Sequence, residues 1–355
     1  MSLLDQTVNA IVPRGAAAQA AAHARLEALA MPYWALGRLL DLAEDLAGMT
    51  GSTKPPVERK TVVVMAGDHG VVADGVSAYP QEVTVQMVAN FVAGGASINA
   101  LARQVGARVI VVDMGVAGDL SSLGGTVLNR KVAPGTSSIA KGPAMSREQA
   151  IEAVEAGIAV ALDLGSSTDV FATGEMGIGN TTPSSAIVAA LTGADPADVT
   201  GRGTGIGDDQ LLHKAKVVEQ SLWVNNADPS DGLDVLAKLG GFEIGGIAGL
   251  ILGAASMQKP VVIDGFISTA GALVAQAICP LSADYMIAAH RSVECGHRVA
   301  LERLGKKPLL DIDLRLGEGT GAALAMNLVD AAVRVLTEVA TFEEASVSHS
   351  DQQSG

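Results

Sequence analysis

The chain has 355 residues, 48% of them hydrophobic and only 17% charged, enough apolar material for one large α/β domain and a smaller helical one. A formal net charge of -14 opposes nucleic acid or an anionic membrane as a partner, because the mean field repels both, yet it leaves room for a local anion site. Aromatic residues are scarce at 3% and glycines number 41, so the core is built from Ala, Val, Ile and Leu with many close backbone approaches, which suits an enzyme with glycine-lined loops and not a fibrous or disordered protein.

In chain order, Met1 to Pro13 lacks the basic stretch and apolar run of a signal peptide. From Ala24 to Leu46 the residues Leu26, Leu29, Trp34, Leu36, Leu39, Leu40 and Leu42 recur at helical spacing, with Pro32 breaking the segment, which predicts an N-terminal helical pair. Thr50 to Pro56 (TGSTKPP) is a turn-rich hinge. Beyond it the apolar runs Thr61–Met65, Val109–Asp113, Val170–Thr173 and Val261–Asp264 have strand length and no polar alternation, as strands covered on both faces require. Helical segments such as Ser146–Leu164 and Gln210–Asn225 lie between them, so the pattern predicts a parallel sheet with right-handed crossovers. A final helix over about Ala323–Ala340 returns to the N-terminal pair, and the polar tail 346–355 reads as disordered. The apolar stretches Val109–Val112 and Ile244–Ala255 are too short or too rich in glycine to span a bilayer. Two cysteines, Cys279 and Cys295, supply neither a disulfide framework nor zinc spacing, so a soluble protein of the reducing cytoplasm is expected.

In an open parallel sheet the loops leaving the carboxyl ends of the strands converge on the ligand site. The first such loop, Ala66–Thr84, holds Asp68, His69 and Asp74 among glycines. These could bind a metal and serve a hydrolase, stabilise the loop through backbone hydrogen bonds, or sit in a substrate wall where Tyr79, Pro80, Gln86 and Met87 flank an aromatic base. In GEMGIGNTTPSSA (Gly174–Ala186), Gly177 and Gly179 precede Asn180, Thr181 and Thr182 at a predicted helix start. That is either a tight connection or an anion cradle of backbone N–H groups at the positive end of a helix. The segment lacks the Gly-Lys-Ser/Thr ending of a triphosphate loop. A second glycine stretch, Gly201–Asp209 with Gly203, leads into a helix carrying Lys214, a candidate for the same phosphate or a solvated surface lysine. Asp264 and Ser292, after later strands, suit ribose or base contacts or capping roles. Glu318 lies between Gly317 and Gly319 just ahead of the last helix, free of bulky flanks, as a pocket acid or as a carboxylate favoured by the helix dipole.

Taken together, GDHGV (Gly67–Val71), GEMGIGNTT (Gly174–Thr182), GRGTG (Gly201–Gly205), DGF (Asp264–Phe266) and LRLGEGTGAAL (Leu314–Leu324) resemble, in order and over nearly the whole chain, the nicotinate-nucleotide:dimethylbenzimidazole phosphoribosyltransferases. The resemblance implies a Rossmann-like parallel sheet flanked by helices (57–322), a small helical domain made from both chain ends (1–56 with 323–345), and a homodimer. It implies transfer of ribose phosphate from nicotinate mononucleotide to a benzimidazole-type base, with small-molecule substrates and no cofactor or metal. By the same resemblance Glu318 is the catalytic glutamate, Glu175, Gly177, Asn180 and Thr181 form the phosphate-binding motif, and Lys214 and Ser292 contact the nucleotide. Glu175 is further expected to act in catalysis by stabilising charge at the ribose, and Gly179, Gly203 and Asp264 to help hold the nucleotide. Tyr79, Pro80, Gln86, Met87 and Leu316 then form the base wall. The alternatives to this reading are a metal-dependent hydrolase built on Asp68, His69 and Asp74, and a nucleotide-binding protein without turnover.

Overall fold

The computed structural model describes residues 1–203 and 205–348. Six strands form one sheet: β1 (Lys60–Gly67), β2 (Arg108–Gly115), β3 (Val127–Asn129), β4 (Val170–Met176), β5 (Val261–Ile263) and β6 (Met286–Ala288). Their order is β3-β2-β1-β4-β5-β6 and every pairing is parallel. From β1 the chain winds outward through β2 and β3, then returns to β4 on the other side, so the crevice between β1 and β4 is the switch point where ligands bind in such sheets. All eight residues of β1 are buried, which explains its unbroken apolar run. The three-residue strands β3 and β6 were not among the predicted strands; segments that short carry no periodic signal.

The helices Arg147–Gly165 and Phe242–Ser256 pack tightly together on one face of the sheet. Their approach depends on missing side chains: a Cβ on Gly157 would strike the Gly246 carbonyl, and one on Gly249 the Val154 carbonyl. Helical glycine costs about 1 kcal/mol each relative to alanine, which close backbone packing offsets here. Helices Glu82–Ala93, Ser97–Gln104 and Thr320–Glu338 lie against the strands as well. By length and hydropathy Thr320–Glu338 and the run Glu82–Gln104 pass for membrane spans. In the fold the first packs on β4 and β5, and the second is two helices broken at Gly94.

Three helices precede the sheet, Leu3–Ala10, Ala16–Glu27 and Arg38–Thr50, where a pair was expected. The segment 28–37 around Pro32 is the predicted break. Ala16–Glu27 is alanine-rich, so it forms by propensity without the apolar spacing that would announce it. The last two of these helices pack with Thr320–Glu338. Arg25 closes the join: Nε donates to the Leu336 carbonyl at 2.8 Å, Nη2 to that of Val339 at 3.1 Å, and the guanidinium pairs with Glu344 at 3.1 Å. Leu3–Ala10 lies elsewhere, against Arg147–Gly165 and Phe242–Ser256. Of the tail expected to be disordered, 349–355 lies outside the described residues.

Candidate active site

The loops after β1, β4, β5 and β6 open onto a cavity of about 670 Å³ at the carboxyl end of the sheet. One wall is the turn after β4. Gly177 leaves no room for a Cβ, because the Gly67 carbonyl and, at 3.3 Å, the His69 ring occupy the space. Gly179 has φ +88°, and the helix Thr181–Thr192 then starts at the cavity with Asn180 as its N-cap. Lys214 reaches this helix start from Asp208–Asn225, donating from Nζ to Thr181 Oγ1 at 2.7 Å and to the Gly201 carbonyl at 3.1 Å. Far from being solvated, Lys214 is only 1% exposed; burial brings its ammonium down to about 8, against the opposing pull of the Glu294 carboxylate. Gly203 (φ +53°) passes beside that ammonium, and Ser292 lines the same end, its N–H donating to His297 Nδ1 at 2.8 Å. A helix N-terminus, close-approach glycines and a buried lysine together are chemically suited to an anion such as a phosphate.

A second wall is the turn at Glu318. Three successive residues are left-handed, Gly317 at φ +87°, Glu318 at +63° and Gly319 at +93°, an arrangement that L side chains adopt only at a cost. Gly317 is required twice over, since a Cβ there would coincide with Glu175 Oε1. The Glu318 carbonyl rests on Gly174, 2.5 Å from where a Cβ would sit, which places this turn directly over the end of β4. The Glu318 carboxylate is 6% exposed and accepts from the Ile98 N–H at 3.3 Å, at the start of the helix Ser97–Gln104. Burial raises its proton affinity, the Ile98 bond opposes this, and the charge of Asp264 adds to it. Glu175, opposite Met65 in the sheet, is pushed up to about 8 by burial and then by Asp264, while an Asn180 hydrogen bond pulls the other way. Carboxylates packed this closely resist simultaneous ionisation.

The third wall is apolar: Tyr79 and Leu316, about half exposed, with Val76, Val83, Met87 and Met176. The predicted residues Tyr79, Met87, Leu316, Glu175, Gly177, Gly179, Asn180, Thr181, Gly203, Lys214, Ser292 and Glu318 therefore meet in one cavity. Pro80 and Gln86 are exposed outside its lining. Asp264 is 1% exposed and lies behind the wall, with its carboxylate bound to backbone N–H groups. His290, Ile98 and Met176 were not singled out in the sequence, although His290 stands two residues from Ser292 and lines the cavity.

Asp68, His69 and Asp74 do not converge. Asp68 Oδ2 accepts from the Ala117 N–H at 2.8 Å, and the buried His69 Nε2 pairs with Glu243 Oε1 at 2.7 Å in the core. Asp74 is held by Lys141 at 2.8 Å and by Ser138. Among the described residues no three His, Cys, Asp or Glu side chains are grouped to hold a metal.

A parallel sheet in the 3-2-1-4-5-6 order, with a helix N-terminus, a buried lysine and a recessed acid lining one cavity at its switch point, is the architecture of a nucleotide-handling α/β enzyme. A family profile described as Phosphoribosyltransferase matches residues 11–347, and the chain belongs to that family. It is 63% identical over 350 residues to the nicotinate-nucleotide–dimethylbenzimidazole phosphoribosyltransferase of Syntrophotalea carbinolica, covering 98% of this chain and 99% of the relative. It is 55% identical to the like-named protein of Geobacter sulfurreducens, covering 99% of this chain and all of that one. The crystal structure of the like-named enzyme of Thermus thermophilus superposes with a TM-score of 0.89 at 47% identity, covering 94% of this chain and 99% of that one.

Proposed function

We propose that the chain transfers ribose 5'-phosphate from nicotinate mononucleotide to 5,6-dimethylbenzimidazole or a related base, giving alpha-ribazole 5'-phosphate and nicotinate for cobalamin lower-ligand assembly. The observation that carries this reading is the meeting of the Lys214–Thr181 anion site and the recessed Glu318 carboxylate in the lining of one cavity that also has an apolar wall. The N-glycosidic nitrogen of the donor is a cationic pyridinium, so the C1'–N bond breaks with its electron pair leaving on a neutral ring. That departure needs neither an acid nor a metal. One nitrogen of the benzimidazole forms the new bond to C1', and the proton on its other nitrogen passes to Glu318, whose raised proton affinity suits it as the base. Positive charge growing at C1' favours the ionised form of Glu175 beside it, and the glycine turn holds the phosphate still while the bond changes hands.

The same reading takes 1–56 with 323–345 as one small helical unit against a catalytic unit 57–322, supported by the Arg25 contacts with Leu336, Val339 and Glu344. It also takes the protein as a cytoplasmic homodimer; the free thiols Cys279 and Cys295 suit a reducing compartment. The test is product analysis after incubation with nicotinate mononucleotide and a panel of aromatic bases. Equimolar nicotinate and riboside phosphate are expected, and absence of both refutes the reading. Glu318→Gln should keep nucleotide binding and lose more than ~100-fold in turnover; near-normal turnover removes Glu318 from the proton step.

A further inference from the structure

We propose that Asp264 is a positioning residue for the proton transfer and not a nucleotide contact, holding the Glu318 carboxylate in place through the backbone of the Glu318 turn. This inference rests on the proposed reaction. Asp264 follows β5 and is 1% exposed. Its Oδ2 accepts from the Gly319 N–H at 3.1 Å and its Oδ1 from the Ala322 N–H at 2.9 Å, two amides just past the catalytic residue at the start of the helix Thr320–Glu338. Its own N–H donates to Thr173 Oγ1 at 3.1 Å. Thr173 precedes Gly174 on β4, and Gly174 is the surface on which the Glu318 carbonyl rests. Asp264 thus ties the turn to the sheet, its carboxylate holding the turn and its backbone N–H holding Thr173 of β4.

The turn needs such a tie. Residues 317–319 are all left-handed, and Glu318 has no glycine's freedom to relax there. The bond to the Glu318 carboxylate from Ile98 is a long one at 3.3 Å, so the direction of the side chain is set chiefly by its backbone. With Asp264 gone, the Gly319 and Ala322 amides become buried donors in need of partners, and the turn moves to find them.

The charge of Asp264 acts on the same proton. It raises the proton affinity of Glu318 from the turn and of Glu175 from β4. His290, after β6, faces Asp264 with Nδ1 3.8 Å from Oδ1 and is held neutral by burial, which brings it down to about 4. Glu243, from Phe242–Ser256, bears on Glu175. Where Asp264 is ionised, above about pH 7, replacing it by a neutral isostere lowers the proton affinity of Glu318.

The experiment compares wild type, Asp264→Asn, Glu318→Gln and the double variant by nicotinate release from nicotinate mononucleotide with saturating base, from pH 5 to 9. Asp264→Asn should lower kcat about 30- to 100-fold, the cost of a misplaced reacting group, with KM for the nucleotide changed less than about twofold. The double variant should be no slower than Glu318→Gln alone, because one residue acts through the other. A KM raised tenfold with kcat retained would make Asp264 a nucleotide contact, and multiplicative losses in the double variant would make the two residues independent; either overturns the inference. If Asp264→Asn does not fold, Thr173→Val removes the acceptor of the Asp264 N–H more gently. It must then show the same non-additivity with Glu318→Gln, and additive losses overturn the inference. A wild-type protein that releases no nicotinate sinks the reaction itself and this inference with it, a result distinct from an active wild type with the wrong variant pattern.

Discussion

Lys214 permits the most quantitative test of the phosphate site. Its ammonium is buried against Thr181 and Gly201, and burial brings it down to about 8, well below an ordinary lysine, so its charge is lost within the range of a routine assay. The nucleotide phosphate is already dianionic above pH 7, which leaves the lysine as the group on the phosphate side that changes charge on the way to pH 9. If the protonated form binds the phosphate, KM for nicotinate mononucleotide grows with the factor 1 + 10^(pH − pKa), about 1.1 at pH 7, about 2 at pH 8 and about 11 at pH 9. Lys214→Met keeps the length and loses the charge. Removing a charge-assisted hydrogen bond worth roughly 1.5 to 3 kcal/mol should raise KM about 10- to 150-fold at pH 7 and abolish its rise toward pH 9. Initial rates of nicotinate release at saturating base, from pH 6.5 to 9.5, give both numbers. A wild-type KM that stays flat to pH 9.5, or a rise that persists in Lys214→Met, refutes the assignment of the buried ammonium to the phosphate.

Two further outcomes follow from the acid wall. Glu175, raised from 4.5 to about 8, binds a proton in the folded protein that the unfolded chain has released, so its contribution to stability is complete below about pH 4.5 and is lost as pH rises through 8. Asp264, raised to about 7, acts in the same sense, while His290 and His297, lowered to about 4 and about 3, add stability as pH rises to 6.5 and mask the loss below that point. Denaturant unfolding should therefore show stability falling between pH 6.5 and 8 by up to about 1.4 kcal/mol per unit for each acid, and Glu175→Gln should flatten the upper half of that fall; an unchanged slope in the variant speaks against a buried proton on Glu175. Gly317→Ala forces a Cβ into a left-handed residue and onto Glu175 Oε1, so kcat should drop about 10- to 100-fold with roughly 1–2 kcal/mol of stability lost, whereas Gly305→Ala, left-handed with open space around it, should lose comparable stability and keep its kcat. Equal kinetics in the two variants would show that the overlap with Glu175 has no catalytic meaning.

The sequence made four strands visible because strands buried on both faces leave continuous apolar runs; β3 (VLN) ends in a polar residue, and the apolar β6 (MIA) lacks the β-branched repeat that marks the equally short β5 (VVI). The glycine turns were legible for a similar reason, since several glycines within a few residues after a strand have few structural uses. What stayed hidden was decided by partners distant in the chain. Nothing local tells that Lys214 is buried until Thr181 and Gly201 close over it, and His69 reads as a ligand until Glu243, 174 residues away, claims its ring nitrogen. The base wall turned on helix phase. Val83 and Met87 of Glu82–Ala93 are four residues apart and share the cavity face, while Gln86, one position back and about 100° round the axis, points to solvent. The helical period decides which of two adjacent residues faces the cavity.

The charge layout of the cavity explains why the acids can be buried at all. Glu175, Glu318 and Lys214 line the cavity, with Asp264 behind its wall and Glu294 near enough to Lys214 to favour its charge, and no acid pairs with the lysine within salt-bridge distance among the described residues. Burying unpaired charge costs several kcal/mol per group in a protein, and the molecule lessens that cost by letting the acids keep protons and the lysine approach neutrality near pH 8. A substrate with a dianionic phosphate at one end and a pyridinium next to its reacting carbon reverses both tendencies, because the phosphate favours the ammonium and the cation favours the carboxylates. The protons and charges that make the folded chain tolerable without substrate are the ones that substrate would rearrange, so the arrangement gives up stability between pH 6.5 and 8 for a site whose ionisation responds to the molecule it transforms.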